Sequence, residues 1–192
     1  MRKRSDTKGR IVDAAWKLFY DQGYDNTTVE EIIAASGTSK GSFYHYFSGK
    51  DALLSSLSYL FDQEYAALEP QLPADMTAFD KLLWLNRGLF DMIERRLPLE
   101  LMARMYASQL TSVGEKHLLD RNRLYFRLIS QIISEGQLAG QLKADISAAE
   151  LVKVYALCER ALIYDWCLCN GEYSLRRYGQ QMMPSFLAFM KL

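Results

Sequence analysis

Between Thr28 and Lys50 the chain gathers side chains that can hold a phosphate backbone and read base edges: Thr28, Ser39, Lys40, Ser42, Tyr44, His45, Tyr46 and Lys50. Hydroxyl and phenol donors reach phosphate oxygens and base edges without a large desolvation cost. A lysine favours the O6 and N7 acceptors of guanine. Lys40 and Ser42, at the start of a short helix, are therefore the candidates for base edges. Tyr44 suits a phosphate or a thymine methyl, and His45 suits either class of contact. Thr28, Ser39, Tyr46 and Lys50 are placed for phosphates, because helix N-termini present free N–H groups and partial positive charge.

These positions require two short helices joined by a tight turn. Thr28 and Glu31 make the T-x-x-E pattern of a capping box, followed by Val29, Ile32 and Ile33 as a buried stripe. Gly37 stands just past the last periodic residue, where a left-handed backbone suits glycine. Thr38 or Ser39 can then cap a second helix whose Phe43 and Phe47 face inward at i, i+4 spacing. An earlier helix over residues 5–22 carries Ile11, Ala14, Ala15, Leu18 and Phe19 as one apolar stripe and ends at Gly23.

In that order of elements, residues 11–54 resemble the N-terminal domain of TetR-type transcriptional regulators. The resemblance rests on Ala15, Leu18 and Phe19 in helix 1 and on the Gly23-Tyr24 turn. It continues through Thr27-Thr28 entering helix 2, Ser39-Lys40-Gly41 entering helix 3, and Tyr44, Phe47 and Lys50. Two positions depart from the common pattern: Trp16 stands where a polar residue is usual, and His45-Tyr46 replaces Tyr-His. The resemblance implies a sequence-specific, ligand-responsive DNA-binding regulator. It would be a homodimeric repressor whose partners are a double-stranded palindromic operator and a small-molecule effector. It also implies an effector pocket within helices four to eight, and last two helices that pair with their symmetry mates as a four-helix bundle.

The net charge is zero over 192 residues, whereas DNA binders usually carry a basic footprint. The distribution answers this, since Arg2, Lys3, Arg4, Lys8 and Arg10 face only Asp6 in the segment just before the reading head. Screening confines each charge to roughly 10 Å at ordinary salt, so a basic arm needs no basic whole.

Beyond the head, periodicity predicts one unbroken helix over residues 49–68, then a break at Pro70 and Pro73. Further helices follow over 77–96, 98–110, 115–136 and 147–170, and from 174 to the C-terminus, where Pro184 is expected to kink the chain. The expected fold is all-α, with nine helices in two domains: a helix-turn-helix head over 1–48, and an effector-binding and dimerisation domain over 49–192.

Residues 151–169 and 182–192 are apolar on nearly every side and need a cover, for which another subunit is the natural source. Trp84, Met102, Met105, Tyr106, Tyr125 and Tyr155 offer aromatic and thioether walls for an effector. Glu159, Arg160 and Asp165 interrupt an apolar helix, and a buried unpaired charge costs several kcal/mol. Either they form salt bridges in a dimer, or Arg160 meets an anionic effector.

No carboxylate pair, nucleophile with a base, glycine-rich phosphate loop or metal-ligand spacing qualifies as an enzyme site, and no cofactor is expected. Cys158, Cys167 and Cys169 are odd in number, and a helical Cys-x-Cys pair points about 200° apart, so reduced thiols are expected rather than a metal site. The absence of a long charge-free apolar run, and of an apolar segment in MRKRSDTKGR, indicates a cytoplasmic protein with no membrane partner. A helical adaptor that does not bind DNA is the rival class, but it leaves Tyr44, Tyr46 and Lys50 without purpose.

Overall fold

Serine and threonine hydroxyls start half of the α-helices. In the computed structural model, which describes residues 7–54, 56–111 and 116–192, α1 spans Thr7–Gln22, α2 Val29–Ser36 and α3 Lys40–Tyr46. A short α4, Lys50–Leu54, precedes α5, Leu57–Leu68. The body continues with α6 (Ala78–Arg96), α7 (Leu99–Thr111), α8 (Leu124–Leu138), α9 (Ala148–Leu168) and α10 (Leu175–Phe186). Side chains of Thr28, Ser39, Thr77, Ser147 and Ser174 each accept the N–H three residues on, satisfying a donor that the first helical turn leaves free. Among the described residues the fold is all-α, and the one β-type pairing is an isolated bridge between Leu142 and Lys191. None of the described helices is long and apolar enough to cross a membrane.

The expected unbroken helix over 49–68 is interrupted. Ser56 N–H and Oγ both donate to the Leu53 carbonyl, and Tyr59 N–H returns to Ser56 O. A serine hydroxyl that competes for backbone carbonyls in this way favours a turn over continued helix. Counting α4 and α5 as one interrupted helix, the described residues hold the nine helices expected. Another correction concerns α8, which begins at Leu124. His117–Leu119 forms a separate 3-10 turn, and the Asp120 carboxylate accepts Asn122 N–H at 2.9 Å, closing a turn before the helix can start. Gly114 and Glu115, where that helix was expected to open, lie outside the described residues, as do Arg2, Lys3, Arg4 and Asp6 of the basic arm. At the other end α10 runs through Pro184 and stops two residues later.

Two apolar cores result. The larger fills the space between α5 and α10. The smaller holds Ile11, Ala15, Phe19, Tyr24, Ile32, Phe43 and Phe47 of the head, with Leu53 and Leu54 of α4 and, from the body, Leu101 of α7. Trp16 packs against both cores, and its indole N–H donates to Ser56 Oγ at 2.9 Å, at the α4–α5 interruption. A tryptophan at this otherwise polar position is thus part of the joint. Close helix approach needs a missing side chain at Gly179, where a Cβ would stand 2.4 Å from the Phe90 ring.

Candidate nucleic-acid interface and buried cavity

Local hydrogen bonds set the reading surface. Thr28 Oγ1 accepts Glu31 N–H at 3.2 Å while Glu31 Oε2 accepts Thr28 N–H at 2.7 Å, so the capping box is complete. Those bonds hold the exposed Glu31 carboxyl below its ordinary value, the Thr28 backbone bond contributing most. Gly37 then turns the chain at φ 61°, in the left-handed region. Ser39 Oγ accepts Ser42 N–H at 3.0 Å and shares a 2.9 Å bond with Ser42 Oγ. With Phe43 and Phe47 buried, Lys40, Tyr44, His45 and Tyr46 are left in solvent on α3. Lys40 makes a 3.6 Å ion pair with Glu30, with both side chains about 70% exposed, which restrains it little.

Lys50 is placed differently from the outward grip expected of it. Its ammonium donates to the carbonyls of Tyr24 at 2.7 Å, Thr27 at 2.9 Å and Asp25 at 3.5 Å, and lies 4.4 Å from the centre of the Tyr24 ring. The charge is engaged with the turn between α1 and α2. Tyr24 also donates its hydroxyl to Asp51, and burial pushes that phenol well above its ordinary value. From the body, Arg104 of α7 reaches the same turn, bonding Asp25 at 2.6 Å, and is steadied on its own helix by Glu100 at 2.8 Å.

Inside the body, Glu159 of α9 is 3% exposed and makes no ion pair with any described residue. Its Oε1 accepts Asn86 Nδ2 at 2.9 Å and the Tyr65 hydroxyl at 3.2 Å, and its Oε2 accepts the Tyr125 hydroxyl at 2.8 Å. Desolvation raises the carboxyl above its ordinary value, while these bonds pull the other way. Beside this cluster lies a cavity of about 30 Å³, lined by residues of α5, α6, α7, α8 and α9. Its polar rim holds Arg123, which is fixed by Asp62 at 3.0 and 3.1 Å and by the Ser58 carbonyl at 2.8 Å.

Of the residues the sequence singled out for an effector, Tyr106, Tyr125 and Arg160 meet at this cavity. The others do not line it. Met102 and Met105 are body core, and Tyr155 is core too, donating its hydroxyl to the Leu82 carbonyl at 3.0 Å. Trp84 is half-buried and lines surface grooves beside α10, with Arg87 and Met183. Asp165 accepts the Tyr173 hydroxyl at 2.8 Å, within one chain.

The head carries a match that decides its kinship. Residues 11–57 fit the sequence profile described as "Bacterial regulatory proteins, tetR family". The N-terminal head is thus of the TetR-family type. That head is 44% identical over 59 residues to YuxN of Bacillus subtilis, a helix-turn-helix-type transcriptional regulator, in a match spanning 30% of this chain and 20% of YuxN. Over 182 residues the chain is 24% identical to the helix-turn-helix-type transcriptional repressor KstR2 of Mycolicibacterium smegmatis, covering 94% of this chain and 88% of KstR2. In fold it resembles FadR of Thermus thermophilus, a TetR-family repressor solved with lauroyl-CoA. The TM-score is 0.68 at 24% identity, over 95% of this chain and 94% of FadR.

Several site residues carried no signal in the sequence. Tyr65, Asn86 and Arg123 read as ordinary members of amphipathic helices, and only their convergence on Glu159 and the cavity marks them. Leu101 and Arg104 were equally silent, since nothing local tells that α7 touches the head.

Proposed function

We propose that the chain acts as a homodimeric repressor that leaves a near-palindromic operator when a small molecule enters the cavity beside Glu159. The observation that carries this reading is the surface of α3, where Lys40, Tyr44, His45 and Tyr46 stand exposed on a helix fixed from behind by Phe43 and Phe47. Lys40 and Ser42 read base edges. Tyr44, His45 and Tyr46 reach phosphates or a thymine methyl. Thr28 and Ser39, whose hydroxyls cap α2 and α3, offer phosphates the N-termini of those helices. Lys50 acts one step behind, as the brace of the α1–α2 turn.

Dimerisation is assigned to the last two helices. Leu157, Tyr164 and Leu168 of α9 are exposed, as are Tyr178 and Phe186 of α10 and Phe189 just beyond it. Isolated exposed apolar residues are normal, but a set on adjacent helices marks an interface. The functional division falls at 48/49: residues 1–48 read DNA, and 49–192 bind the effector, dimerise and transmit. As for the effector, the lauroyl-CoA of Thermus thermophilus FadR does not transfer directly. A space of about 30 Å³ admits a water or two, so any guest must displace side chains to enter. A guest that binds better once they have moved shifts the population towards that form.

Footprinting on the chain's own promoter region, with sedimentation of the complex, tests the proposal. Two half-sites with centres roughly 34–36 Å apart, or slightly more, and one dimer per duplex are the expected result. Protection of a single asymmetric half-site by a monomer would overturn it. Lys40→Ala should flatten the preference at one or two base positions, at a loss of about 1–3 kcal/mol on the preferred sequence.

A further inference from the structure

The cavity walls can be sorted by what their polar groups already hold. Glu159 accepts from three side chains on three other helices, and Arg123 is engaged by Asp62 and a carbonyl. Tyr65 and Tyr125 spend their hydroxyls on Glu159. Two lining groups remain, the Tyr106 hydroxyl and the Arg160 guanidinium, and neither has a hydrogen bond or ion pair to any described residue. Both are donors. The rest of the wall, including Phe61, Leu89 and Ile163, is apolar.

A guest that completes this wall must bring an acceptor. An ammonium would face Arg160 and Arg123, while the only carboxylate it could seek already holds Tyr65, Asn86 and Tyr125. A neutral carbonyl, with two lone pairs, can meet both donors but leaves the guanidinium charge unanswered. A carboxylate satisfies both, and its bond to a guanidinium is of the strong, charge-assisted kind. We infer that the effector is a compact carboxylate, its anionic head held by Arg160 and Tyr106 and its apolar body against Phe61, Leu89 and Ile163. The inference rests on the reading of this cavity as the effector site.

The test uses the full chain without DNA. Acetate, butanoate, octanoate, benzoate and phenylacetate are each compared with the matching primary amide and amine, by thermal shift and calorimetric titration. At least one acid should bind, its amide at least tenfold more weakly and its amine more weakly still. Arg160→Gln should erase the preference for acid over amide, and Tyr106→Phe should weaken the acid several-fold. Arg160 is partly exposed and makes no ion pair, so the first variant should melt close to the parent; the acid-to-amide ratio in the parent stands whatever the variants do. Amines binding better than acids would overturn the inference and make Glu159 the anchor. It would equally fall if no acid bound, if acids and amides bound alike, or if Arg160→Gln kept the preference. A gel shift of the ligand-free chain separates the two readings: operator binding without any acid binding sinks this inference alone, whereas acid binding without operator binding sinks the proposed function alone.

Discussion

The head and the body both pair polar groups, the head at its surface and the body away from water, over very different distances along the chain. In the head, Thr28 pairs with Glu31 and Ser39 with Ser42, each three residues apart. In the body, Glu159 meets Tyr65, Asn86 and Tyr125 across 94, 73 and 34 positions. Local caps can form as soon as a helix does. A cage drawn from four helices exists only in the finished fold, so it is bonded to global stability and to anything that separates α5, α6, α8 and α9. The reading surface can therefore remain intact while the body changes shape, which a ligand-operated switch requires.

The largest effect should come from breaking the cage. Glu159→Ala leaves three buried donors without an acceptor and opens space between helices. An expected loss of about 3–5 kcal/mol in unfolding free energy, read from denaturant titration, follows from leaving buried donors unsatisfied at about 1–3 kcal/mol each. A loss below about 1 kcal/mol would show that the cage is wetter than its burial suggests. Glu159→Gln sharpens the point through pH. The Glu159 carboxyl is raised in the folded state, so the fold holds a proton that the unfolded chain releases above the ordinary carboxylate value of 4.5. The parent's stability relative to Glu159→Gln is then highest below about pH 4.5 and declines as pH rises through the folded-state value. A difference that grows with pH would reverse the assigned direction.

Next in size is Leu101→Ala. Its side chain is 2% exposed within the head core, and truncating a buried leucine costs about 2–5 kcal/mol. Hydrogen exchange should quicken in α1–α3 while α8 and α9 keep their protection. Uniform loosening of the whole chain would mean that head and body do not differ in this respect.

Lys50→Ala should cost about 1–2 kcal/mol of stability through the lost charged bonds to the α1–α2 turn. The salt dependence of operator binding should keep its slope. A slope lower by about one unit would make Lys50 a phosphate contact instead. The smallest effect is reserved for Thr28→Ala, about 1 kcal/mol from the lost cap of α2. Because that cap is local, Thr28→Ala and Glu159→Ala should add; a coupling of more than about 0.5 kcal/mol would connect the two regions directly.

The same contrast explains what was legible in the sequence. The capping box at Thr28 and Glu31, the left-handed Gly37 and the inward Phe43 and Phe47 are short-range facts, written within a few residues of where they act. The helix starts at 77, 147 and 174 were readable for the same reason. The interruption at Ser56 escaped because the apolar stripe continues across it, and only the serine hydroxyl's competition for Leu53 breaks the helix. Of the residues that type singled out, Tyr106, Tyr125 and Arg160 line the cavity. Residue type could not separate them from Met102, Met105 and Tyr155, since an apolar stripe shows which face is inward and not where the packing leaves a gap. Glu159 stood out as a charge that had to be answered, but its three partners lie on other helices and had no pattern of their own.

Leu101 bears on how such a head could be moved from one protein to another. A fragment cut after residue 48 lacks Leu53 and Leu54, and one cut after residue 54 still lacks the leucine that closes the core from α7. Transplanted onto a foreign body, the head would carry a pocket of leucine size on its underside, filled only if the recipient supplies a matching side chain at the same height. Recombination between regulators that swaps reading specificity is thus filtered by one apolar residue roughly fifty positions beyond the exchanged segment. A chimera designed with that residue transferred as well should recover a folded head where a simple splice does not.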